Sequence, residues 1–240
     1  MAGELAVVLS PHLDDAVLSC WSVLAREGEV LVLNVLTEAP APGRPRVWDE
    51  LTGAADPAER MRERVAEDRA ALALAGRKPV NLGLRAPADE IAEGELGAAL
   101  QALVPEECEL HVPAGIGGHP GHVLVRRAGL ALAGERRPAW LYADLPYAVR
   151  WGWPAWVSGA EKDPHLRPDA VWAREMEDAV PRGTSLEPQV RRLGTAEAGR
   201  KLAAMRTYRT QFPAVNGGPL GIMERDDVLR HEVSWRVVGG

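Results

Sequence analysis

Continuous apolar runs at Leu5 to Leu9 and Val30 to Leu36, each followed by a break and a helix-like stretch, predict buried parallel strands. Pro57 to Gly76 predicts a helix. Asp56 is placed to cap it, Pro57 opens its first turn, Gly76 ends it, and Met61, Val65, Leu72 and Ala75 share one stripe. Further strands are expected at Val80 to Leu84 and Leu110 to Pro113, with helices over Ala88 to Leu103 and His122 to Ala133. Strand and helix therefore alternate across residues 4–145, the pattern of a βαβ-built sheet. The expected fold is α/β, an open, mostly parallel Rossmann-like sheet with helices on both faces. From Leu145 to Pro188 the pattern becomes irregular and rich in Pro, Trp and charge, which reads as a lid or insertion facing the substrate. A helix from Thr195 to Phe212 and a strand from Val233 to Val238 complete residues 189–240, and the 240 residues together read as one domain.

Composition narrows the class. With 46% hydrophobic and 26% charged residues the chain is ordinary for a globular protein, and its net charge of -6 disfavours nucleic acid as a partner. No apolar run approaches the roughly 20 residues of a membrane span, and Glu4 interrupts the place of a signal peptide. Cys20 and Cys108 sit in apolar surroundings without a CxxC spacing, so a cytoplasmic location without a disulfide framework is expected. Homo-oligomer formation is left open.

The chemistry concentrates at two strand ends, where open parallel sheets bind ligands. The first strand runs into Pro11-His12-Leu13-Asp14-Asp15, a turn without the glycines that a dinucleotide would need. His12 and Asp15, three apart, can face one ion with a nitrogen and a carboxylate oxygen, a common ligand set for catalytic zinc. Asp14 between them is left to act on water. The alternative is that Asp14 or Asp15 only caps the following helix. A later strand end carries Gly115-Ile116-Gly117-Gly118-His119-Pro120-Gly121-His122, whose glycines permit tight turns that bring imidazoles inward. Either histidine could be the third ligand, and His111 within the strand is read as structural. Tyr142 and Asp144, with Tyr147 close by, follow another strand near Trp140 and are candidates to meet substrate. Trp151, Trp153 and Trp156 offer sugar stacking or core contacts. Asp163, His165 and Asp169 have no spacing that requires a second metal, and Arg206, Tyr208 and Arg209 face either substrate or solvent.

These motifs resemble the PIG-L/LmbE-like deacetylases, which hydrolyse N-acetyl groups on glucosamine-containing substrates. The His-x-Asp-Asp motif is Pro11-His12-Leu13-Asp14-Asp15, the His-x-x-His motif is His119-Pro120-Gly121-His122, and Arg64-Val65-Ala66-Glu67 with Leu74-Ala75-Gly76 matches an intervening helix. The order holds over residues 5–135. The resemblance implies that His12, Asp15 and His122 hold Zn2+, with Asp14 as general base, His119 steadying the oxyanion and Arg64 contacting the sugar. Iron or cobalt would suit the same donors. The family frequently carries Asp between the paired histidines where this chain has Gly121, so the support of that carboxylate is absent. The expected function is zinc-dependent hydrolysis of an N-acetyl group on an aminosugar-containing small molecule, in secondary metabolism, thiol-cofactor synthesis or glycoconjugate maturation. The alternatives are an amidase of a different amide, such as a thiol conjugate, and a noncatalytic metal or sugar binder.

Overall fold

A computed structural model of the chain describes residues 5–39, 47–85, 93–159, 165–177 and 179–239. In chain order its elements are β1 Ala6–Ser10, α1 Asp15–Ser19, α2 Trp21–Leu24, β2 Val30–Asn34, α3 Val47–Leu51, α4 Pro57–Ala73, β3 Pro79–Asn81, α5 Glu93–Leu103, β4 Glu109–Pro113, α6 Pro120–Leu130 and β5 Ala139–Tyr142. There follow α7 Ala155–Ser158, α8 Pro168–Glu177, β6 Ser185–Arg192, α9 Thr195–Met205, α10 Phe212–Val215, α11 Asp226–Leu229 and β7 His231–Val238.

The apolar runs become the centre of a seven-stranded sheet in the order β3-β2-β1-β4-β5-β7-β6. Every residue of β1 is buried, because it is sandwiched between layers and flanked by β2 and β4, both parallel to it. β3 and β5 extend the parallel set, while β7 and β6 add an antiparallel edge. The chain leaves β1 toward β2 and returns on the other side as β4, so the strand order reverses between β1 and β4. Both motif-bearing loops leave from these two adjacent strands, at the switch point where such sheets hold ligands.

One group of helices, α5 with α6, packs on β4 and β1, and a second joins α1, α4 and α9. α4 starts as expected, with the Asp56 side chain accepting from the N–H groups of Ala58 (2.8 Å) and Glu59 (3.3 Å). α6 lies very close to the sheet. A Cβ added at Gly129 would fall 2.5 Å from Val112 Cγ1 and 2.9 Å from Leu9 Cδ1, both in the central strands. Gly129→Ala is therefore expected to cost about 1–3 kcal/mol by overpacking, although alanine is the better helix former. Thermal unfolding would measure this, and a stabilised variant would show that α6 can withdraw without penalty.

Three expectations change in position. The strand expected at Val80 to Leu84 is β3, Pro79–Asn81, after which Leu82 and Leu84 donate backbone bonds to Asn34 and Val35 and Leu84 accepts one from Glu38, outside the regular ladder. The helix over Ala88 to Leu103 is described as α5 from Glu93, residues 88–92 lying outside the described set. The helix begun at Thr195 ends at Met205, and Tyr208 to Gln211 instead form a turn that reaches back to the opening loop.

The irregular stretch after Leu145 holds α7, α8 and the unexpected strand β6. Tryptophans fasten it to the sheet: Trp172 lies 5.3 Å from Trp235 of β7 and 5.7 Å from Trp153, ring centre to ring centre. Trp153 and Trp172 are buried, whereas Trp151 and Trp156 remain exposed.

A buried ion pair closes the other side of the sheet. Lys201 Nζ of α9 donates to Glu232 Oε1 of β7 at 2.8 Å, and the Glu232 carboxylate also accepts from the N–H groups of Trp21 (2.8 Å) and Ser22 (2.9 Å), capping α2. Cys20 and Cys108 are free and buried. Among the described residues no helix is long and apolar enough to cross a membrane.

Candidate metal centre

The loop after β1 is held from several directions. Ser10 Oγ donates to the His12 carbonyl (2.6 Å) and accepts from Ala16 N (3.2 Å), tying the strand end to α1. Gln211 Nε2 donates to the Leu13 carbonyl at 3.0 Å. Between these ties Asp14 takes φ 157° and ψ -31°, a sparsely populated combination that the surrounding bonds must enforce. The backbone N–H of His12 donates to Asp15 Oδ2 at 2.8 Å. That same oxygen lies 3.2 Å from His12 Nδ1 and 3.3 Å from His122 Nε2.

The second loop turns through positive φ at Gly115, Gly117 and Gly118 (76°, 90° and 69°) and starts α6 with His119 as its N-cap. A side chain at Gly117 would collide with Tyr147, its Cβ only 2.8 Å from that residue's Cβ. His122, in the first turn of α6, is fully buried, and its Nδ1 is 2.6 Å from Asp144 Oδ1. The other Asp144 oxygen accepts from Ile116 N at 2.9 Å. With Nδ1 committed, Nε2 of His122 points at Asp15, buried and without a hydrogen-bond partner.

These distances fit a metal. Zinc bonds of about 2.0–2.1 Å to N and O in a tetrahedron put neighbouring donors roughly 3.3 Å apart, which matches the 3.2 and 3.3 Å from Asp15 to the two imidazoles. A buried carboxylate on the far nitrogen of a ligating histidine is the usual way its ring is oriented. His12, His119 and His122 also converge, with candidate ligand atoms within 4.8 Å of one another.

The electrostatics call for positive charge. Burial pushes Asp14 well above the ordinary carboxylate range, with Asp15 adding to the effect and Arg64 opposing it. Burial acts on Asp15 in the same direction, but His122 and His12 outweigh it and hold Asp15 at about 2. Burial alone would lower His122, yet Asp15, Asp144 and Asp14 together raise it to about 9. Burial raises Asp144 even though His122 stabilises its charge. Three acidic side chains thus act on one imidazole, an arrangement that a bound cation would stabilise. His12 is lowered by burial, and His119 falls to about 4 through burial and then its histidine neighbours.

Gly121 has a specific place here. Its backbone N–H donates to His119 Nδ1 at 3.2 Å. An accepting Nδ1 carries no proton, so in the neutral ring the proton sits on Nε2. A side chain at Gly121 would meet Leu36 Cδ1 at 2.8 Å and the rings of His119 and His12 at 3.3 Å. The His119 ring is thus held by a main-chain donor, and the space a side chain at this position would need is filled.

Two expectations are corrected. Tyr142 is buried and its hydroxyl donates to the Leu9 carbonyl at 2.8 Å, bracing β5 against β1 rather than meeting substrate. Asp144 is fully buried with both oxygens engaged by His122 and Ile116, so it orients a histidine and has no atom to offer a substrate. Tyr147 does stand at the cluster, its ring 5.4 Å from His122 and 5.8 Å from His119. Arg64 is buried on α4, where its charge acts on Asp14, His12 and Asp68.

Sequence reasoning missed the support beneath the loop. Asp68 accepts from Tyr208 (2.8 Å) and Asn34 (2.7 Å), and burial raises it to about 6 against those bonds. Glu67 accepts from the Thr210 hydroxyl at 2.7 Å. The signal available was the set of charges Arg64, Glu67 and Asp68 at helical spacing beside the apolar stripe of α4. Of the remaining candidates, His111 stacks on Trp140, Arg206 pairs with Glu224, Arg209 and His165 are exposed, Asp169 lies on α8, and Asp163 lies outside the described residues.

Fold and site together define an α/β protein with a cluster of histidines and aspartates, able to hold a metal ion, at the switch point of its sheet. No family model matches the chain. It is 33% identical over 161 residues to the 2'-N-acetylparomamine deacetylase of Streptomyces fradiae, a match covering 59% of this chain and 57% of that protein, so the chain spans little more than half of the relative's length. The Orf2*T triple mutant of a deacetylase in the teicoplanin biosynthetic pathway superposes with a TM-score of 0.75 at 25% identity, covering 99% of both chains. Dbv21, the A40926 pseudoaglycone deacetylase, gives a TM-score of 0.67 at 26% identity over 98% of this chain and 97% of its own. The chain shares the fold of these deacetylases.

Proposed function

We propose that this chain is a zinc-dependent member of the PIG-L/LmbE-like deacetylases that hydrolyses an N-acetyl group on an aminosugar-containing small molecule. The observation that carries the reading is Asp15 Oδ2 set 3.2 and 3.3 Å from the nitrogens of His12 and His122, with Asp144 behind His122. The deacetylases it resembles support the reaction class.

His12, Asp15 and His122 would hold the metal. His119 is the poorer ligand, because a ring whose Nδ1 accepts from Gly121 keeps its proton on Nε2. When bound, zinc supplies Lewis acidity that polarises the amide carbonyl and acidifies water. Asp14 takes the proton of the attacking water as the C–O bond forms, and that proton is returned to the nitrogen as the C–N bond breaks, leaving acetate and a free amine. His119 Nε2–H donates to the carbonyl oxygen as it gains charge. Arg64 supplies positive charge beside Asp14 and, following the family resemblance, faces the sugar.

Acetate release from N-acetylglucosaminides, measured before and after chelation and after zinc is restored, tests the reaction. Zinc-dependent release is expected, and release untouched by chelation would remove the metal from the reading. Asp144→Asn is expected to weaken zinc binding about 10–100-fold, read by competition with a chromogenic chelator. Wild-type affinity in that variant would separate Asp144 from the metal.

A further inference from the structure

We infer that a groove running from Tyr147 to α8 is a subsite for an aromatic group bearing an acid, attached to the sugar that enters the metal centre. The inference deepens the deacetylase reading and rests on it.

Tyr147 is the partition. Its ring stands against His119 and His122, and it also lines a small cavity of about 80 Å³ together with Arg150, Trp151 and Val171. Trp151 and Val171 are shared with a second cavity of about 370 Å³, walled by Leu166, Arg167 and Arg174. The two cavities share these lining residues and so adjoin, and Tyr147 links the smaller one to the histidine cluster. The larger part falls within the size range of small-molecule sites.

Its lining names the chemistry. Trp151 is 47% exposed and Leu166 40%, an apolar floor open to solvent. The Arg150 guanidinium sits 5.4 Å from the centre of the Trp151 ring. Arg167 and Arg174 are exposed, and among the described residues neither guanidinium has an ion-pair or hydrogen-bond partner. Glu175, the carboxylate at the inner end, is engaged by the N–H of Gly117 at 2.7 Å. In a chain of net charge -6, three arginines gathered on one groove stand out. A tryptophan face takes an aromatic ring, and guanidinium groups take a carboxylate through paired N–H donors. Tyr147, which belongs both to the smaller cavity and to the histidine cluster, assigns this occupant to the substrate rather than to a protein partner.

The test compares methyl, phenyl and 4-carboxyphenyl N-acetyl-β-D-glucosaminide on zinc-loaded protein, with binding followed by tryptophan fluorescence and turnover by acetate release. Wild-type protein is expected to bind the carboxyphenyl glycoside about tenfold tighter than the phenyl one, the gain of one charged hydrogen-bonded contact. In Arg167→Met/Arg174→Met the ratio should fall to about one; taken on a single protein, it does not depend on how much of the sample is folded. A wild-type ratio near one, or a ratio that survives in the double variant, overturns the subsite. Tighter binding of an acidic tryptophan peptide, with no preference among the glycosides, overturns it in favour of a protein partner. An arginine-dependent ratio without acetate release from any glycoside leaves the subsite standing and removes the deacetylase reading. Acetate release without the ratio does the reverse.

Discussion

Asp14→Asn, loaded with zinc, is expected to release acetate about 10²–10⁴-fold more slowly than the wild type while its zinc content stays unchanged. Asparagine keeps the size and shape of the side chain, so the unusual backbone at this position is not newly burdened, but the amide cannot take a proton. Metal content should hold because Asp15, the next residue, makes the close approaches to His12 and His122. Loss of zinc from the variant would show that the two aspartates exchange roles. Unchanged turnover would remove Asp14 from proton transfer.

Lys201→Met should be the most destabilising of the changes considered. Lys201 is fully buried, and its loss leaves the Glu232 carboxylate enclosed with only the two α2 N–H groups for partners. Breaking one half of a buried ion pair costs about 3–5 kcal/mol. In a chain of this size that corresponds to a fall of roughly 6–20 °C in Tm. Lys201→Met/Glu232→Gln should recover part of the loss, since the stranded charge is gone. A single variant melting within about a degree of wild type would mean that the pair adds nothing net to stability.

What could be read from the sequence follows from where each signal is written. β1 and β2 were legible because strands covered on both faces are apolar without interruption, and His12, Asp15, His119 and His122 because they recur at strand ends with ligand spacing. β6 was not legible: apart from Leu186, half-buried, it is exposed along its length, so burial imposes no alternation on its sequence. The roles of Tyr142 and Asp144 were misread because the direction of a side chain at a strand end depends on how β5 lies between β4 and β7, which local pattern does not contain. Gln211 stands 198 residues from the carbonyl it binds, beyond the reach of any periodicity.

That last contact has a consequence for synthesis. A ribosome that has released both histidine motifs has still to deliver Tyr208, Thr210 and Gln211, which tie Asp68, Glu67 and Leu13 in place, and then β7, which shields β5. The nascent chain therefore carries every proposed metal donor long before it can hold them in register. The residues that hold the loop come last, so a half-made chain carries the proposed donors before the side chains that position them.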